Sequence, residues 1–205
     1  MAIAGFVPVD DAEVARLLAG YPFAWVVTAA DGDFAATLLP IRPVRDSGGR
    51  IVELHGHFAR RNPQVEMVRR TPRALVLFLG PHDYISSSWL TDRTRTPTWN
   101  YASAQFFVDI EFFDDAQQTE ALLRDLVGAM EDGRPGKWSV DEMGPRYARI
   151  VGGIIGFHAP VREIRAKFKL GQDERPAEYA EILAALDAGG GSELADWMRR
   201  NNPGR

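Results

Sequence analysis

Hydrophobic residues along this 205-residue chain recur mostly with the two-residue period of half-buried strands. The clearest case runs from Ala102 to Phe112. There Ala102, Ala104, Phe106, Val108, Ile110 and Phe112 alternate with Ser103, Gln105, Asp109 and Glu111, and Phe107 alone interrupts the polar set. Two apolar runs, FAWVVTAA at 23–30 and FAATLLPI at 34–41, flank Asp31-Gly32, a dipeptide that supplies the positive φ of a type I′ hairpin. RIVELHGHF at 50–58 and RALVLFLG at 73–80 read as further strands. A sixth covers 154–170, where the inward set passes from odd positions (Ile155, Phe157, Ala159, Val161) to even ones (Ile164, Ala166, Phe168, Leu170). One extra residue between Pro160 and Glu163 would produce that slip, so a bulge or sharp bend is predicted there.

Helix signals are fewer. Asp10 and Glu13 have capping-box spacing, Val9 and Val14 that of a hydrophobic staple, and the helix they open should end near Gly20. Asn62 precedes Pro63 at the start of NPQVEMVRR, a favoured use of proline in a first helical turn. Asp115 opens an amphipathic helix to about Met130, GPRYARIV at 144–151 is a short helical piece, and the tail holds helices over 177–186 and after Ser192. Between Pro81 and Gln105 the segment PHDYISSSWLTDRTRTPTWNYASAQ reads as a long aromatic loop, where connections usually span about 4–6 residues. Its aromatics could stack on a planar ligand, meet another subunit or pack in the core. Six strands, few long helices and no regular strand–helix alternation predict a mainly β (β+α) protein: a closed six-stranded antiparallel barrel with peripheral helices. A single domain over 1–205 is expected, with 175–205 as a helical extension packed on it.

Composition narrows the chemistry. With no cysteine, thiol nucleophiles, thiolate metal sites and disulfides are all excluded. A net charge of −4 and a pI near 5.6 argue against direct DNA binding unless basic residues concentrate locally. They do cluster, at Arg60-Arg61, at Arg69, Arg70 and Arg73, at Arg93 and Arg95, and at Arg165, Lys167 and Lys169. No signal peptide and no run of ~18 apolar residues is read, so a cytoplasmic location without membrane insertion is expected.

Three constellations could carry chemistry. His55 and His57 share one face of a strand, as structural groups, as ligand contacts, or as a metal pair if His82, His158 or a remote carboxylate supplied a third ligand; no metal is assigned. Asn62 at a helix start, beside Arg60 and Arg61, suits an anion such as phosphate, through free amides and a positive dipole end. Arg165, Lys167 and Lys169 on one strand face fit either an anion site or a guarded edge strand. Ser86, Ser87 and Ser88 near His82 and Asp83 lack the surroundings of a nucleophilic serine, so no catalytic residue is assigned.

Four segments in order, FAWVVTAADGDFAATLLPI, LHGHFARRNPQ, GPHDYISSSW with TPTWNY, and KFKLGQ, resemble the PaiB-like, FMN-binding negative transcriptional regulators. That resemblance implies a split β-barrel of the pyridoxamine-phosphate-oxidase type and a homodimer carrying flavin at the subunit interface. It implies that the backbone of Thr37, Leu38, Leu39 and Pro40 follows the isoalloxazine ring. His57, Phe58, Ala59, Arg60, Asn62 and Gln64 would surround the phosphate end of FMN. Trp89, Trp99 and Asn100 would reach in from the aromatic loop, with Lys169 in the final motif. That motif departs from the usual KLSQN, since Gly171 stands for the serine and Asp173 for the asparagine. The same barrel also hosts flavin-dependent oxidoreductases and flavin reductases, an alternative in which the flavin does the electron chemistry.

Overall fold

A computed structural model describes residues 5–204 of the chain. The hairpin forms as the dipeptide dictates: β1 (Phe23–Ala30) pairs with β2 (Asp33–Pro40) from Phe23↔Pro40 to Ala30↔Asp33, across Asp31 at φ 54° and Gly32 at φ 87°. A second hairpin joins β3 (Arg42–Arg45) to β4 (Ile51–Ala59), its turn closed by Asp46 Oδ1, which accepts from the amides of Gly48 (2.9 Å) and Arg50 (3.0 Å). β5 (Arg73–Ile85), β6 (Thr98–Asp109), β7 (Glu111–Phe113) and β8 (Ile154–Lys169) complete the sheet, in the order β2-β1-β5-β6-β8-β4-β3, with β7 on β8.

The expected six-stranded closed barrel is therefore corrected to eight strands in an open path. Each added strand follows one buried isoleucine. Ile41 N–H donates to Pro22 O (2.8 Å), one residue beyond the Phe23↔Pro40 pair, and Ile110 N–H to Pro72 O (2.9 Å), just before β5, so each makes a last bond where its partner strand begins. The chain beyond it joins a new partner: β3 takes β4, and β7 takes β8. The single strand expected over 102–112 thus becomes two, and 42–45, outside every predicted strand, supplies the other.

The helices are α1 (Asp11–Gly20), α2 (Gln64–Arg70), α3 (Ala116–Glu131), α4 (Arg146–Gly152), α5 (Pro176–Gly189) and α6 (Ser192–Asn201). Asp10 caps α1 as predicted, accepting from Glu13 N at 3.0 Å. Glu13 itself is buried and accepts from Asn201 Nδ2 at 3.1 Å and from Arg16 Nε at 3.2 Å, so its carboxylate serves a remote helix as well as its own. Val9, the proposed staple residue, is 56% exposed.

By contact the chain divides into two units. One comprises the N-terminal residues through Tyr21, Phe78–Gln105 and Arg165 onward; it buries Leu17, Leu18, Ala102, Phe168, Ile182, Leu186 and Met198. The other comprises Pro22–Leu77 and Phe106–Ile164; its core includes Val26, Ile41, Leu54, Phe58, Val76, Phe106 and Phe157. The phase slip predicted for the last strand is visible in burial: Ile155, Phe157 and Ala159 are buried upstream, Phe168 and Leu170 downstream. Ile164 is exposed, contrary to its expected inward position.

Gly56 shows how tightly the second core is filled. A Cβ there would stand 2.6 Å from the Phe157 ring and 3.0 Å from Ile41 Cδ1, both fully buried. Gly56→Ala is expected to cost about 1–3 kcal/mol by overpacking. The urea midpoint should fall without a change in slope; an unchanged midpoint would mean that the Phe58–Phe157 pair, 5.5 Å between centroids, can yield.

Candidate functional site

The predicted ligand residues fall into two groups, one in each unit. In the unit built on Pro22–Leu77, the chain after β4 is tied to the first hairpin by one buried amide. Gln64 Nε2 donates to Val26 O (2.9 Å), Thr28 Oγ1 (3.2 Å) and Ala35 O (3.3 Å), while Gln64 Oε1 accepts from Thr37 Oγ1 (2.6 Å). Thr37 Oγ1 in turn accepts from Asn62 Nδ2 at 3.0 Å, and Asn62 Oδ1 accepts from Gln64 N at 2.9 Å. Asn62 thus caps α2 as the Asn-Pro pair predicts. It also corrects the expected anion corner, because Asn62 takes up the amides of Gln64 and, through its carbonyl, Val65 (3.0 Å).

Residues 37–40 lie on β2, which stands at one end of the strand order and so has one flank without a ladder partner. Leu39 is buried, Thr37 and Pro40 are half-buried, and Leu38 is exposed. Phe58 is wholly buried in the core, leaving its backbone as the part able to meet a ligand, whereas Ala59 is exposed. Arg60 was expected to face phosphate. Here its Nη1 (2.9 Å) and Nη2 (2.6 Å) grip Asp114, its Nε donates to Gly152 O (3.2 Å), and Nη2 also donates to Ile154 O (2.7 Å). This pairing holds the Asp114 carboxyl below the usual carboxylate range.

His57 is different. Its Nδ1 is buried and has no hydrogen-bond partner among the described residues, and desolvation pushes its pKa down, so the imidazole is neutral at pH 7. A buried polar atom of this kind costs about 1–3 kcal/mol unless something satisfies it. His55, on the same face, turns instead to Glu53 and to His158.

The second group lies in the other unit, and here the structure corrects the long loop. β5 runs on through Ile85 and β6 begins at Thr98, so Trp99 and Asn100 are strand residues. Pro81 and the His82-Asp83 pair had disguised the continuation as a turn. Trp99 is exposed and packs against His82 (6.3 Å) and edge-on to Tyr84 (5.9 Å). Asn100 is buried; its Nδ2 lies 3.7 Å from Met198 Sδ and its Oδ1 has no partner. Trp89 closes a single 3-10 turn (Ser87–Trp89) and is half-buried. Lys169 Nζ donates to Thr98 Oγ1. The three serines are local caps: Ser86 Oγ accepts from Ser88 N (3.1 Å), and Ser87 Oγ donates to Arg95 O (2.6 Å).

The glycine in the final motif has a structural cause, whereas nothing in the structure explains Asp173. Gly171 sits at φ 83°, and a Cβ there would press on Met198 (3.0 Å) and Tyr179 (3.1 Å). Gln172 folds back on its own turn, Oε1 accepting from Leu170 N and Nε2 donating to Phe168 O, both at 2.7 Å.

The basic clusters are largely spent on acids. Arg69 pairs with Glu66, Arg73 and Arg162 with Asp109, and Arg95 with Glu174 and Glu178. No helix among the described residues is long and apolar enough to cross a membrane.

Comparison with known proteins then places the chain. The family model described as "Putative FMN-binding domain" matches residues 4–163. "Protease synthase and sporulation protein PAI 2" of Bacillus subtilis is 32% identical over 165 residues, 80% of this chain and 78% of that protein. Among solved structures, a flavocytochrome of Azotobacter vinelandii superposes with a TM-score of 0.62 at 14% identity, over 83% of this chain and 73% of that one. An FAD- and heme-binding protein of Mycobacterium smegmatis gives 0.60 at 17% identity, over 86% and 78%. At such identities these two speak to the fold, whereas the family model and the Bacillus relative speak to descent, and by them this chain belongs to the PaiB-like family of flavin-binding split-barrel proteins.

Proposed function

We propose that the chain binds FMN and works as a homodimer, with a regulatory rather than a catalytic role. The observation that carries the flavin reading is His57: a neutral imidazole with a buried, unsatisfied Nδ1, two residues from Ala59 and on the strand that precedes the Asn62–Thr37–Gln64 network. In this reading the free flank of β2 at Thr37, Leu38, Leu39 and Pro40 follows the ring edge, and backbone groups at Phe58 and Ala59 lie with His57 toward the phosphate. Asn62 and Gln64 position Thr37. Arg60 contacts phosphate only by sharing its guanidinium with Asp114. Trp89, Trp99, Asn100 and Lys169 are proposed for the same ligand, and the unpartnered Oδ1 of buried Asn100 supports their inclusion. The bound flavin supplies one- and two-electron redox chemistry.

Purified protein soaked in FMN should keep a flavin absorbance band after desalting. At 100 times Kd the ligand should add about 2.7 kcal/mol of stability. His57→Ala should weaken the complex, while Asp114→Asn, which releases Arg60, should strengthen it. Colourless protein with no thermal shift would refute the reading.

Regulation is proposed to run through the flavin and a partner rather than through direct phosphate contacts, since the net charge is −4 and most clustered arginines are paired. Gel shifts at two salt concentrations test this. A specific complex that weakens steeply with salt would overturn it.

A further inference from the structure

Glu53, His55 and His158 meet on the face of the sheet opposite the core. β4 and β8 are in register there, with His55 directly across from His158, so both imidazoles project to the same side. Glu53 lies two residues before His55 and joins that face. The three ligand-bearing atoms all fall within 4.8 Å of one another. His158 Nδ1 is 3.0 Å from His55 Nε2 and 3.5 Å from Glu53 Oε1, and His55 Nε2 also contacts Glu53 Oε1.

Hydrogen bonding satisfies this cluster poorly. A proton shared between His55 Nε2 and the carboxylate leaves His158 Nδ1 facing a nitrogen already in use. A cation would serve all three atoms at once. Ligand bonds of about 2.0–2.2 Å in a tetrahedral zinc site put donor atoms about 3.3–3.6 Å apart, close to the two distances made by His158 Nδ1.

The surroundings agree. Arg42 lies across from His55 on β3, but its Nε is committed to Asp125 at 2.8 Å. Glu111 lies across from His158 on β7, adding negative charge to the same face. The Phe113 ring, 4.5 Å from the His158 ring, walls one flank, and Gly156 makes room for it, since any Cβ there would collide with that ring. The side chains of Glu53, His55 and His158 remain 29%, 27% and 37% exposed, so solvent reaches the point where they converge.

We propose that Glu53, His55 and His158 bind one divalent transition-metal ion, zinc by preference, with a fourth position open to water. Two imidazoles and one carboxylate form the donor set of open zinc sites, and a metal there would clamp β4 to β8. It would make use of the cross-strand partner that the spacing of His55 and His57 could not identify.

The test uses the full chain, stripped with chelator and titrated with Co²⁺, followed by visible absorption, and with Zn²⁺ by calorimetry. One ion per chain is expected, with the intense bands of tetrahedral cobalt and no sulfur charge-transfer band. His158→Ala and Glu53→Gln should each weaken binding by more than the ~10–100-fold that outer-shell changes cost, whereas His57→Ala and His82→Ala should leave it intact. Far-UV circular dichroism and the urea midpoint of each variant show that it is folded. Wild-type protein that takes up no stoichiometric ion, or an ion retained by both His158→Ala and Glu53→Gln, overturns the assignment.

Discussion

Replacing Gln64 by leucine should lower stability by about 2–4 kcal/mol, although leucine matches the volume and suits a buried position. The side chain is 2% exposed and its amide makes four hydrogen bonds, to Val26 O, Thr28 Oγ1, Ala35 O and Thr37 Oγ1. Leucine would supply apolar contact and leave two backbone carbonyls and two hydroxyls to find other partners in a site closed to water, at about 1–3 kcal/mol for each group left unsatisfied. The cost should appear as a lower urea midpoint at constant slope. Because Thr37 leads the segment proposed to follow the flavin ring, FMN affinity should fall further than in Gly56→Ala, a variant of comparable stability cost that removes none of these hydrogen bonds. A stability change under ~0.5 kcal/mol would mean that the amide is not what ties β2 to the chain after β4.

That amide also marks the limit of what the sequence reveals. Local chemistry was legible where one or two residues determine the outcome: Asp31-Gly32 set the hairpin, Asn62-Pro63 the start of α2, and the alternation from Ala102 the inward face of β6. Strand ends were legible only where a turn residue marked them. Ile41 and Ile110 look like ordinary strand residues, yet each makes its last bond to the proline that precedes its partner strand, and the chain beyond pairs elsewhere. Function was read less completely for the same reason. Arg60 beside Asn62 looked like an anion site from its neighbours in sequence, but its true partner, Asp114, is 54 residues away. His55 was matched with His57, two residues on, when the residue facing it is His158, 103 positions along the chain. The family motifs mark the segments proposed for the ligand, and only the folded chain tells which of their polar groups are already spent.

Trp25→Asp should turn the proposed homodimer of 22.8 kDa chains into monomers. On the outer face of the first hairpin, Phe23, Trp25, Val27 and Ala29 of β1 stand beside Pro40, Leu38, Ala36 and Phe34 of β2, with Leu77 and Leu75 of β5 on the other side. All ten are apolar. Phe23, Trp25, Phe34 and Leu38 are 60%, 47%, 79% and 36% exposed in the single chain. A strand built only to cover its own core would place polar residues outward, as β6 does with Ser103, Gln105 and Asp109. Contiguous apolar surface of this extent marks an association site, and a two-fold interface repeats the patch on each subunit. One aspartate per chain then buries two unpaired carboxylates near the axis, at a cost of ~3 kcal/mol or more, over 100-fold in Kd. Light scattering across a dilution series reads the change directly. Val52→Asp, which removes an exposed apolar side chain on β4, should remain dimeric. If flavin is held at the interface, Trp25→Asp should also lose FMN on desalting while its urea midpoint at low concentration matches that of the dissociated wild type. A wild-type chain that is monomeric at micromolar concentration, or a Trp25→Asp chain that still pairs, would rule out this face as the contact.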